Sequence, residues 1–537
     1  MQDVMNFIFS KRRYKYYMTL IGAFTNLLFC IFSLLPPYLL KKPNFYIIEI
    51  NSSNNISETN NKQSLEFKDE YCDSTKYFIE KDPINSLHNW AYEYDLYCDK
   101  KKVLYSTGIV VSLFTGATLG NIIFETFPDK YGREKIYKIL SIIELFLLIN
   151  LIFDFGIIHL IIIMFFIGIN LYAFPLSYVV LEEFIVDDLG MIFGIINAIY
   201  PLGGILVALW FMKINNLRQL FYIHFILLMI FNYFLLKYFY ESPRWLHSKG
   251  RKKECLEVLT NVARFNNIEG EWDLYQKNYP EIIELIGSKK QINNNISNNN
   301  GNFGFLNILK IQSQKYKFIN ALAVWTLTGS CFYGIILYLD QMKGNFFTNA
   351  MLSFLGELIA EFTSGKLMDI YGRKTITILL MFIGTGFFIL YELLPENYSG
   401  ITLFFSMMGF SGNFTCLSVL IDESFVTEIR GTVFSDCFIM DRIVPIIIKI
   451  LGLFLSKRII DIIFILSGIG SAYLTYKYFS ETLGKKPKDF IYEDEDEDEN
   501  TTINLKLIII YKKIGKDLFY SILFFYKFLS WFIKRFI

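Results

Sequence analysis

Two pairs of ionisable residues lie within stretches of sequence that are otherwise apolar. Glu357 and Glu361 are four residues apart, so they share one face of a helix. Asp441 and Arg442 are adjacent in a second such stretch, downstream of Arg430. A charge inside a membrane costs roughly 2.5–3.5 kcal/mol on insertion scales, so residues of this kind are candidates for function. Together they predict a site that binds a small charged molecule.

Aromatic residues recur along one face of a third stretch. Trp325, Phe332 and Tyr333 follow helical spacing, and an aromatic face attracts an ammonium group. Two interpretations are open. In the first, Glu361 and Arg442 form a structural ion pair and the aromatic residues serve packing. In the second, the two charges and the rings bind a zwitterion or an organic cation.

The reactive side chains do not form a catalytic pattern. The four histidines and seven cysteines lack metal-ligand spacing, and no glycine-rich nucleotide loop ending in Gly-Lys-Ser/Thr occurs. We expect Glu144 to pair within the helix bundle rather than to relay protons, and His159 and His224 to be interfacial or packing residues. The sequence therefore predicts no enzyme, no cofactor and no metal. A net charge of +1 gives no reason to expect a nucleic-acid partner.

Membrane-spanning helices must position these residues. Of 537 residues, 53% are hydrophobic and 19% are charged, whereas soluble globular domains carry about 25% charged residues. Hydropathy in windows of about 19 residues predicts an all-α membrane protein with twelve spans, six in each half. The predicted spans are 16–40, 104–127, 135–154, 157–180, 189–212, 219–239, 318–340, 346–367, 375–394, 400–422, 432–455 and 459–479.

The loops between these spans predict the orientation of the chain. Lys and Arg residues cluster before the first predicted span and in every second loop after it. Loops rich in these residues favour the cytoplasmic side of a membrane. We therefore expect both termini to be cytoplasmic. The predicted organisation is an N-terminus (1–15), an N-terminal bundle (16–239) with an outer loop (41–103), a cytoplasmic loop (240–317), a C-terminal bundle (318–480) and a cytoplasmic tail (481–537).

The outer loop and the tail carry further signals. The loop holds glycosylation sequons at Asn51 and Asn55 and the only cysteines predicted to lie outside, Cys72 and Cys98. An oxidising exterior favours a disulfide between them. The tail contains an acidic run and then a basic, apolar segment at 505–537. We expect that segment to lie on the inner leaflet as an amphipathic helix rather than to form another span.

The two halves repeat three charged landmarks at a constant offset of 240 residues. Asp129, Gly132 and Arg133 correspond to Asp369, Gly372 and Arg373, Glu183 corresponds to Glu423, and Glu241 corresponds to Glu481. Such a repeat predicts two six-helix halves related by an axis along the membrane normal.

The repeated residues are predicted to form a gate at the cytoplasmic edge. Each aspartate is expected to cap a helix of the opposite half, and each glycine to permit a tight turn. Each arginine is expected to pair with the glutamate of its own half, Glu183 or Glu423. Such contacts would form and break as the halves close and open. The alternative is that the basic motif only stops translocation during insertion.

These motifs resemble the major facilitator superfamily. Within it, residues 10–490 resemble the organic cation, organic anion and carnitine transporter family. The similarity rests on motifs that occur in order: Tyr94-Asp-Leu-Tyr-Cys98-Asp99, Glu241-Ser-Pro-Arg-Trp-Leu246, Trp325 with Phe332-Tyr333-Gly334, Gly344-Asn345, and Glu423 to Arg430. The resemblance implies the major facilitator fold, transport by alternating access and a gate that includes Arg430.

Single positions give mixed information about the substrate. Arg442 stands where the resembling anion and carnitine carriers have Arg and the cation carriers have Asp. Glu361 stands where the anion carriers have Lys. Glu125 and Gly190 depart from the family pattern, which predicts a weaker or differently paired first gate. The resemblance thus favours a small organic cation or a zwitterion such as a carnitine-like betaine.

Three alternatives stay open. The chain could be an organic anion exchanger, a carrier related to sugar porters, or a membrane receptor of the same fold that does not transport. The long outer loop argues against the sugar porters. We expect a multi-pass protein in the lipid bilayer of the plasma membrane, with a small organic ion as its partner. The sequence leaves open whether a second ion is coupled or exchanged.

Overall fold

The computed structural model describes residues 2–9, 13–49, 64–65, 72, 77–124, 127–153, 155–184, 189–280, 308–310 and 312–484. Its internal contacts divide the chain into two compact units, Met1–Asn300 and Gly301–Ile537. The sequons at Asn51 and Asn55, the residue Glu125 and the tail signals lie outside the described residues.

The N-terminal unit is built mainly from helices. They are α1 (Gln2–Phe9), α2 (Arg13–Leu34), α3 (Pro36–Leu40), α4 (Trp90–Glu93), α5 (Lys100–Phe124), α6 (Phe127–Tyr131), α7 (Arg133–Phe153), α8 (Ile157–Asn170), α9 (Ala173–Phe184), α10 (Leu189–Ile214), α11 (Leu217–Tyr238), α12 (Pro243–Ser248), α13 (Lys252–Phe265) and α14 (Glu269–Asn278). With α2 and α3 counted as one span, and α8 and α9 as another, six spans result.

Proline accounts for the two broken spans. Pro36 begins α3 directly after the end of α2, and Pro175 lies in the first turn of α9. A proline inside a helix removes an N–H donor and clashes with the carbonyl four residues earlier. Proline is tolerated in the first turn, where that N–H would have no partner. The chain therefore restarts its helix at these points.

The long helices are apolar on both their buried and their outward faces. In α11, the buried residues Leu220, Leu228 and Leu235 alternate with the exposed residues Ile226 and Ile230. A helix that is apolar all round is not stable facing water. The outward face of α11 is therefore suited to contact lipid.

The outer loop contains a small sheet that the sequence did not lead us to expect. Strands β1 (Phe45–Glu49), β2 (Ser64–Leu65) and β3 (Tyr77–Lys81) pair antiparallel in the order β2-β1-β3. A disulfide joins Cys72 to Cys98, whose Cα atoms are 5.1 Å apart. It connects the sheet region to the start of α5.

The segment that follows the sixth span folds against the N-terminus of the chain. The described part of this segment contains α13 and α14. The Asn266 side chain donates to the carbonyl of Ile8 at 2.8 Å and accepts from the backbone N–H of Tyr14 at 2.8 Å. Phe7 of α1 stacks on Tyr275, with ring centroids 4.6 Å apart. These contacts hold α1 on the helices that follow the sixth span.

The described part of the C-terminal unit has six long helices. They are α15 (Gln312–Leu337), α16 (Phe346–Tyr371), α17 (Arg373–Leu393), α18 (Ser399–Ser424), α19 (Thr427–Leu451) and α20 (Lys457–Tyr478). Among the described residues of the whole chain, ten helical segments are long and apolar enough to cross a membrane. The other two predicted spans are α16 and α19, which are less apolar because they hold Glu357, Glu361, Asp441 and Arg442.

Candidate functional site

Three side chains of the C-terminal unit form a buried polar group between α15 and α19. The hydroxyl of Tyr333 donates to Oδ2 of Asp441 at 2.9 Å. It also accepts from Nη1 of Arg442 at 3.3 Å. That guanidinium nitrogen lies 3.6 Å from the same aspartate oxygen. The sequence singled out all three residues, and the structure brings them into direct contact.

The two glutamates of α16 lie in different surroundings. Glu361 accepts hydrogen bonds from the hydroxyls of Ser411 at 3.3 Å and Thr415 at 3.1 Å, both on α18. Glu357 is 3% exposed, and its Oε2 has no hydrogen-bond partner among the described residues. A buried carboxylate oxygen without a partner is costly.

The aromatic residues predicted to share a face of α15 meet a ring of α18. Phe414 contacts both Trp325 and Phe332, with ring centroids 5.5 Å apart in each case. Phe332 also contacts Tyr333 at 5.3 Å. In the sequence, Phe414 lies between Ser411 and Thr415, whose hydroxyls bind Glu361. Helix α18 therefore carries both the ring that contacts the aromatic residues and the hydroxyls that contact the carboxylate.

A second polar chain crosses the interior of this unit and was not expected from the sequence. Asn413 donates to the hydroxyl of Thr328 at 3.2 Å, which is 2.9 Å from the hydroxyl of Ser471. All three residues are buried. Small polar residues in spans are common in packing, so their types alone give no signal. Ser411 and Thr415 are one helical turn apart, as are Glu357 and Glu361. This shared spacing is the signal from which a contact between the two helices could have been predicted.

The structure gives Glu361 and Arg442 different partners. Hydroxyl groups bind Glu361, whereas Asp441 and Tyr333 contact Arg442. The structure therefore does not contain the ion pair between Glu361 and Arg442 that the first interpretation requires. A site with carboxylates, a guanidinium and aromatic faces can bind an ammonium group and a carboxyl group.

Each unit also repeats one cluster of charges where a long helix begins. In the N-terminal unit, Nη2 of Arg133 lies 2.8 Å from Asp129 and 3.0 Å from Glu183. In the C-terminal unit, Nη2 of Arg373 lies 3.1 Å from Oδ1 of Asp369, and its Nε lies 3.2 Å from Oε2 of Glu423. Each aspartate is thus bonded to the arginine of its own unit. The expectation that it caps a helix of the opposite half stays a prediction.

The third landmark binds the start of that same helix. Glu241 accepts from the backbone N–H of Arg133 at 3.0 Å, and Glu481 accepts from that of Arg373 at 2.8 Å. A carboxylate at a helix N-terminus is stabilised by the helix dipole and by the N–H groups that lack partners there. Burial raises the pKa of the Glu241 carboxyl, and backbone hydrogen bonds act in the opposite direction. The offset of 240 marked these glutamates, but their role was missed.

Glycine is required at the turn beside each cluster. Gly132 has a φ of +105° and Gly372 a φ of +100°, values that favour glycine over residues with a Cβ. A Cβ on either residue would overlap the carboxylate of Glu241 or Glu481. The short turn therefore lets the glutamate reach the helix N-terminus.

The clusters differ at the position seven residues after the repeated glutamate. In the C-terminal unit Arg430 lies 3.6 Å from Asp422 and donates to the carbonyl of Phe425 at 3.3 Å. In the N-terminal unit that position is Gly190, in α10. Glu183 keeps its pairing with Arg133 without it.

The sequence of this chain is similar to those of transporters from other organisms. It is 23% identical to the β-alanine transporter of Drosophila melanogaster over 72% of this chain and 66% of that protein. It is 21% identical to the human organic cation/carnitine transporter 2 over 63% of this chain and 59% of that protein. The matched region thus spans less than two thirds of the length of these relatives. The resemblance to organic cation and carnitine transporters is confirmed.

The fold of this chain is similar to that of solved transporters, and its sequence matches one protein-family profile. The xylose transporter XylE from E. coli superposes with a TM-score of 0.56 at 15% identity, covering 88% of this chain and 99% of that one. The nucleoside transporter NupG superposes with a TM-score of 0.51 at 12% identity. These likenesses confirm the predicted fold. The profile of the Major Facilitator Superfamily matches residues 104–448, more than half of the chain. The chain therefore belongs to the Major Facilitator Superfamily.

Proposed function

We propose that the chain is a secondary transporter that moves a small organic cation or zwitterion across a membrane by alternating access. The observation that carries this proposal is the buried group formed by Tyr333, Asp441 and Arg442. Groups of this polarity are expensive within a span and are retained where they bind a substrate or ion. In transporters of this architecture, substrate sites lie near the bilayer midplane.

The C-terminal unit offers a partner for each end of a zwitterion. Arg442 suits a carboxylate, since a guanidinium presents several N–H donors in a planar fork. Glu361 and Glu357 suit an ammonium group, and Trp325 and Phe332 add aromatic faces that attract the same charge. We propose these residues as the substrate site, with Asp441 and Tyr333 orienting the guanidinium.

The names of two relatives support a zwitterionic substrate. The Drosophila melanogaster relative is named for β-alanine and the human one for organic cations and carnitine. β-Alanine and carnitine each carry a cationic nitrogen and a carboxylate, which is the pair of charges that this site would bind.

We further propose that the repeated charge clusters form the cytoplasmic gate. The clusters contain Asp129, Gly132, Arg133, Glu183, Asp369, Gly372, Arg373, Glu423 and Arg430. The arginine–glutamate bonds are mostly buried, and charge-assisted bonds of that kind contribute roughly 1.5–3 kcal/mol each, which is enough to bias an equilibrium between two conformations. The aspartates of the arginine–aspartate bonds are largely exposed, so those bonds contribute less. The proposal includes cytoplasmic termini, a plasma-membrane location and glycans at Asn51 and Asn55, with a coupled or exchanged ion left open.

The first test measures uptake of three labelled compounds into proteoliposomes: a betaine, a quaternary amine and a dicarboxylate. We expect saturable uptake of the betaine and the amine but not of the dicarboxylate. Glu361→Gln should lower uptake of both about tenfold to a hundredfold, because it removes a charged partner of the ammonium group. Glu396→Gln, at an exposed residue of the short helical turn before α18, is the matched control.

Two other outcomes would contradict the proposal, one its substrate class and the other transport itself. Uptake of the dicarboxylate in preference to the amine would identify an anion exchanger instead. Absence of flux for all three compounds, with no difference between Glu361→Gln and the unmodified protein, would contradict the transport proposal.

A further inference from the structure

A small cavity lies within the N-terminal unit, in the part of the chain that carries no proposed substrate residue. Its polar lining comes from Thr25 of α2, Glu144 of α7 and Asn170 of α8, and its apolar lining includes Phe32 and Phe174. The cavity measures about 20 Å³, which is room for about one water molecule.

A histidine stands beside the carboxylate of this cavity. Nε2 of His224, on α11, lies 3.5 Å from Oε1 of Glu144. His224 is 1% exposed, and neither of its ring nitrogens has a hydrogen-bond partner among the described residues. A closer approach of about 0.5 Å would bring the two atoms to hydrogen-bond distance. The sequence led us to expect an interfacial or packing role for His224.

A further polar atom in the cavity lining is unsatisfied. Asn170 is 4% exposed, and its Oδ1 has no hydrogen-bond partner among the described residues. Buried polar atoms are nearly always hydrogen-bonded to protein or to ordered water. A cavity of this size beside an unsatisfied oxygen is suited to a bound water. Such a water would connect Glu144 to the polar lining.

The pair lies deep within its spans. Glu144 is in the middle of α7, which runs from Arg133 to Phe153, so at 1.5 Å per residue it is roughly 16 Å from the helix start. That is about half the thickness of a hydrocarbon core. A lone carboxylate at this depth would be costly, and a protonated histidine beside it offsets that cost.

Other ionisable groups around the pair are bonded elsewhere or lie at helix ends. Tyr137, on α7, is close enough to Glu144 for an electrostatic interaction, and its hydroxyl is hydrogen-bonded to Thr25. Tyr178, on α9, is hydrogen-bonded to Asn197. The charged and histidine residues of the surrounding helices are near the helix ends: Arg13 and Lys15 on α2, Arg133, Glu134, Lys135 and Lys138 on α7, His159 on α8, Glu182 and Glu183 on α9, Lys213 on α10, and Arg218 and Lys237 on α11.

We infer that Glu144, His224 and the adjoining cavity form a proton-binding site inside the N-terminal unit. A proton from the solution, relayed by the cavity water, binds at Nε2 of His224 and is shared with Oε1 of Glu144, so that the occupied pair is neutral overall and the water is unchanged. Its release to the same water leaves a neutral imidazole beside a carboxylate. Thr25 and Asn170 hold the water through their oxygen atoms.

Infrared difference spectroscopy of the full chain in lipid, between mildly alkaline and mildly acidic solution, tests this site without any substrate. The unmodified protein should gain imidazolium bands on acidification, and His224→Gln should remove the bands that belong to this residue. Glu144→Gln should abolish the same bands, because a buried imidazolium without a carboxylate is unfavourable. His159→Gln and Glu182→Gln are the matched controls and should leave these bands unchanged.

A second variant covers the case in which Glu144→Gln does not fold. Asn170→Leu makes the cavity lining more apolar, and apolar cavities stay dry, so the bands should form more slowly after a jump to acidic pH. The proton site is contradicted if the His224 bands persist in Glu144→Gln, if no band depends on His224, or if Asn170→Leu forms them at the unmodified rate. Because no transport is measured, failure of the transport proposal would leave this result standing.

Discussion

Arg442→Gln is expected to lower uptake of a carboxylate-bearing substrate by about thirtyfold or more. The guanidinium lies in the interior of the C-terminal unit against Tyr333 and Asp441. Removing one partner of a buried, hydrogen-bonded charge pair costs about 2–5 kcal/mol, and each 1.4 kcal/mol corresponds to a factor of ten. Uptake of a quaternary amine without a carboxylate should fall much less. The measurement is initial uptake of both compounds by the same proteoliposomes.

Two further variants separate substrate binding from folding. Arg442→Gln leaves Asp441 as a buried charge without its cation, so the double variant with Asp441→Asn restores neutrality and should fold better. Arg458→Gln, at an exposed residue near the start of α20, is the matched control and should transport normally. Uptake of β-alanine at the unmodified rate by a folded Arg442→Gln protein would rule out the role given to this residue.

Gly372→Ala should strongly destabilise the C-terminal unit. The φ of +100° at Gly372 is unfavourable for alanine by about 1–3 kcal/mol. The new Cβ would also displace the Glu481 carboxylate from the start of α17, where such a charge contributes up to about 2 kcal/mol. We expect a clear fall in the melting temperature of the purified protein in detergent.

Gly365, on the helix that ends just before Gly372, provides the control. Gly365→Ala places a Cβ within α16 where it meets no atom within 4 Å, and alanine is favoured over glycine in a helix by about 1 kcal/mol. This variant should melt at the same temperature as the unmodified protein or above it. Gly132→Ala should behave like Gly372→Ala, since Gly132 has the same backbone conformation beside Glu241. Equal melting temperatures for Gly365→Ala and Gly372→Ala would contradict this account of the turn.

The fold could be predicted because its signals are local or periodic. Apolar windows identify spans, and a constant offset of 240 residues identifies the repeat. The same offset marked Glu241 and Glu481, but nothing in the sequence indicates that each binds a helix N-terminus 108 residues away. The sheet of the outer loop was missed because β1 and β3 pair across a long stretch of chain.

The site was predictable in its residue types and less so in its pairings. The cost of a charge in a span marks Glu361, Asp441 and Arg442, because that cost is a property of each residue alone. Which of them meet depends on how the helices pack. The structure joins Arg442 to Tyr333 and Asp441, and it joins Glu361 to hydroxyls of α18. Likewise, the pairing of Glu144 with His224 requires α7 and α11 to be neighbours.

Counterflow of β-alanine is the most direct measurement of the central claim that the C-terminal unit binds a zwitterion for transport. Proteoliposomes are loaded with unlabelled β-alanine and diluted into a trace of labelled compound. We expect the unmodified protein to accumulate label transiently above equilibrium, and Arg442→Gln in the Asp441→Asn background to give no accumulation. Equal and flat time courses for the unmodified protein and for liposomes without protein, with a carnitine-like betaine behaving in the same way, would contradict the claim.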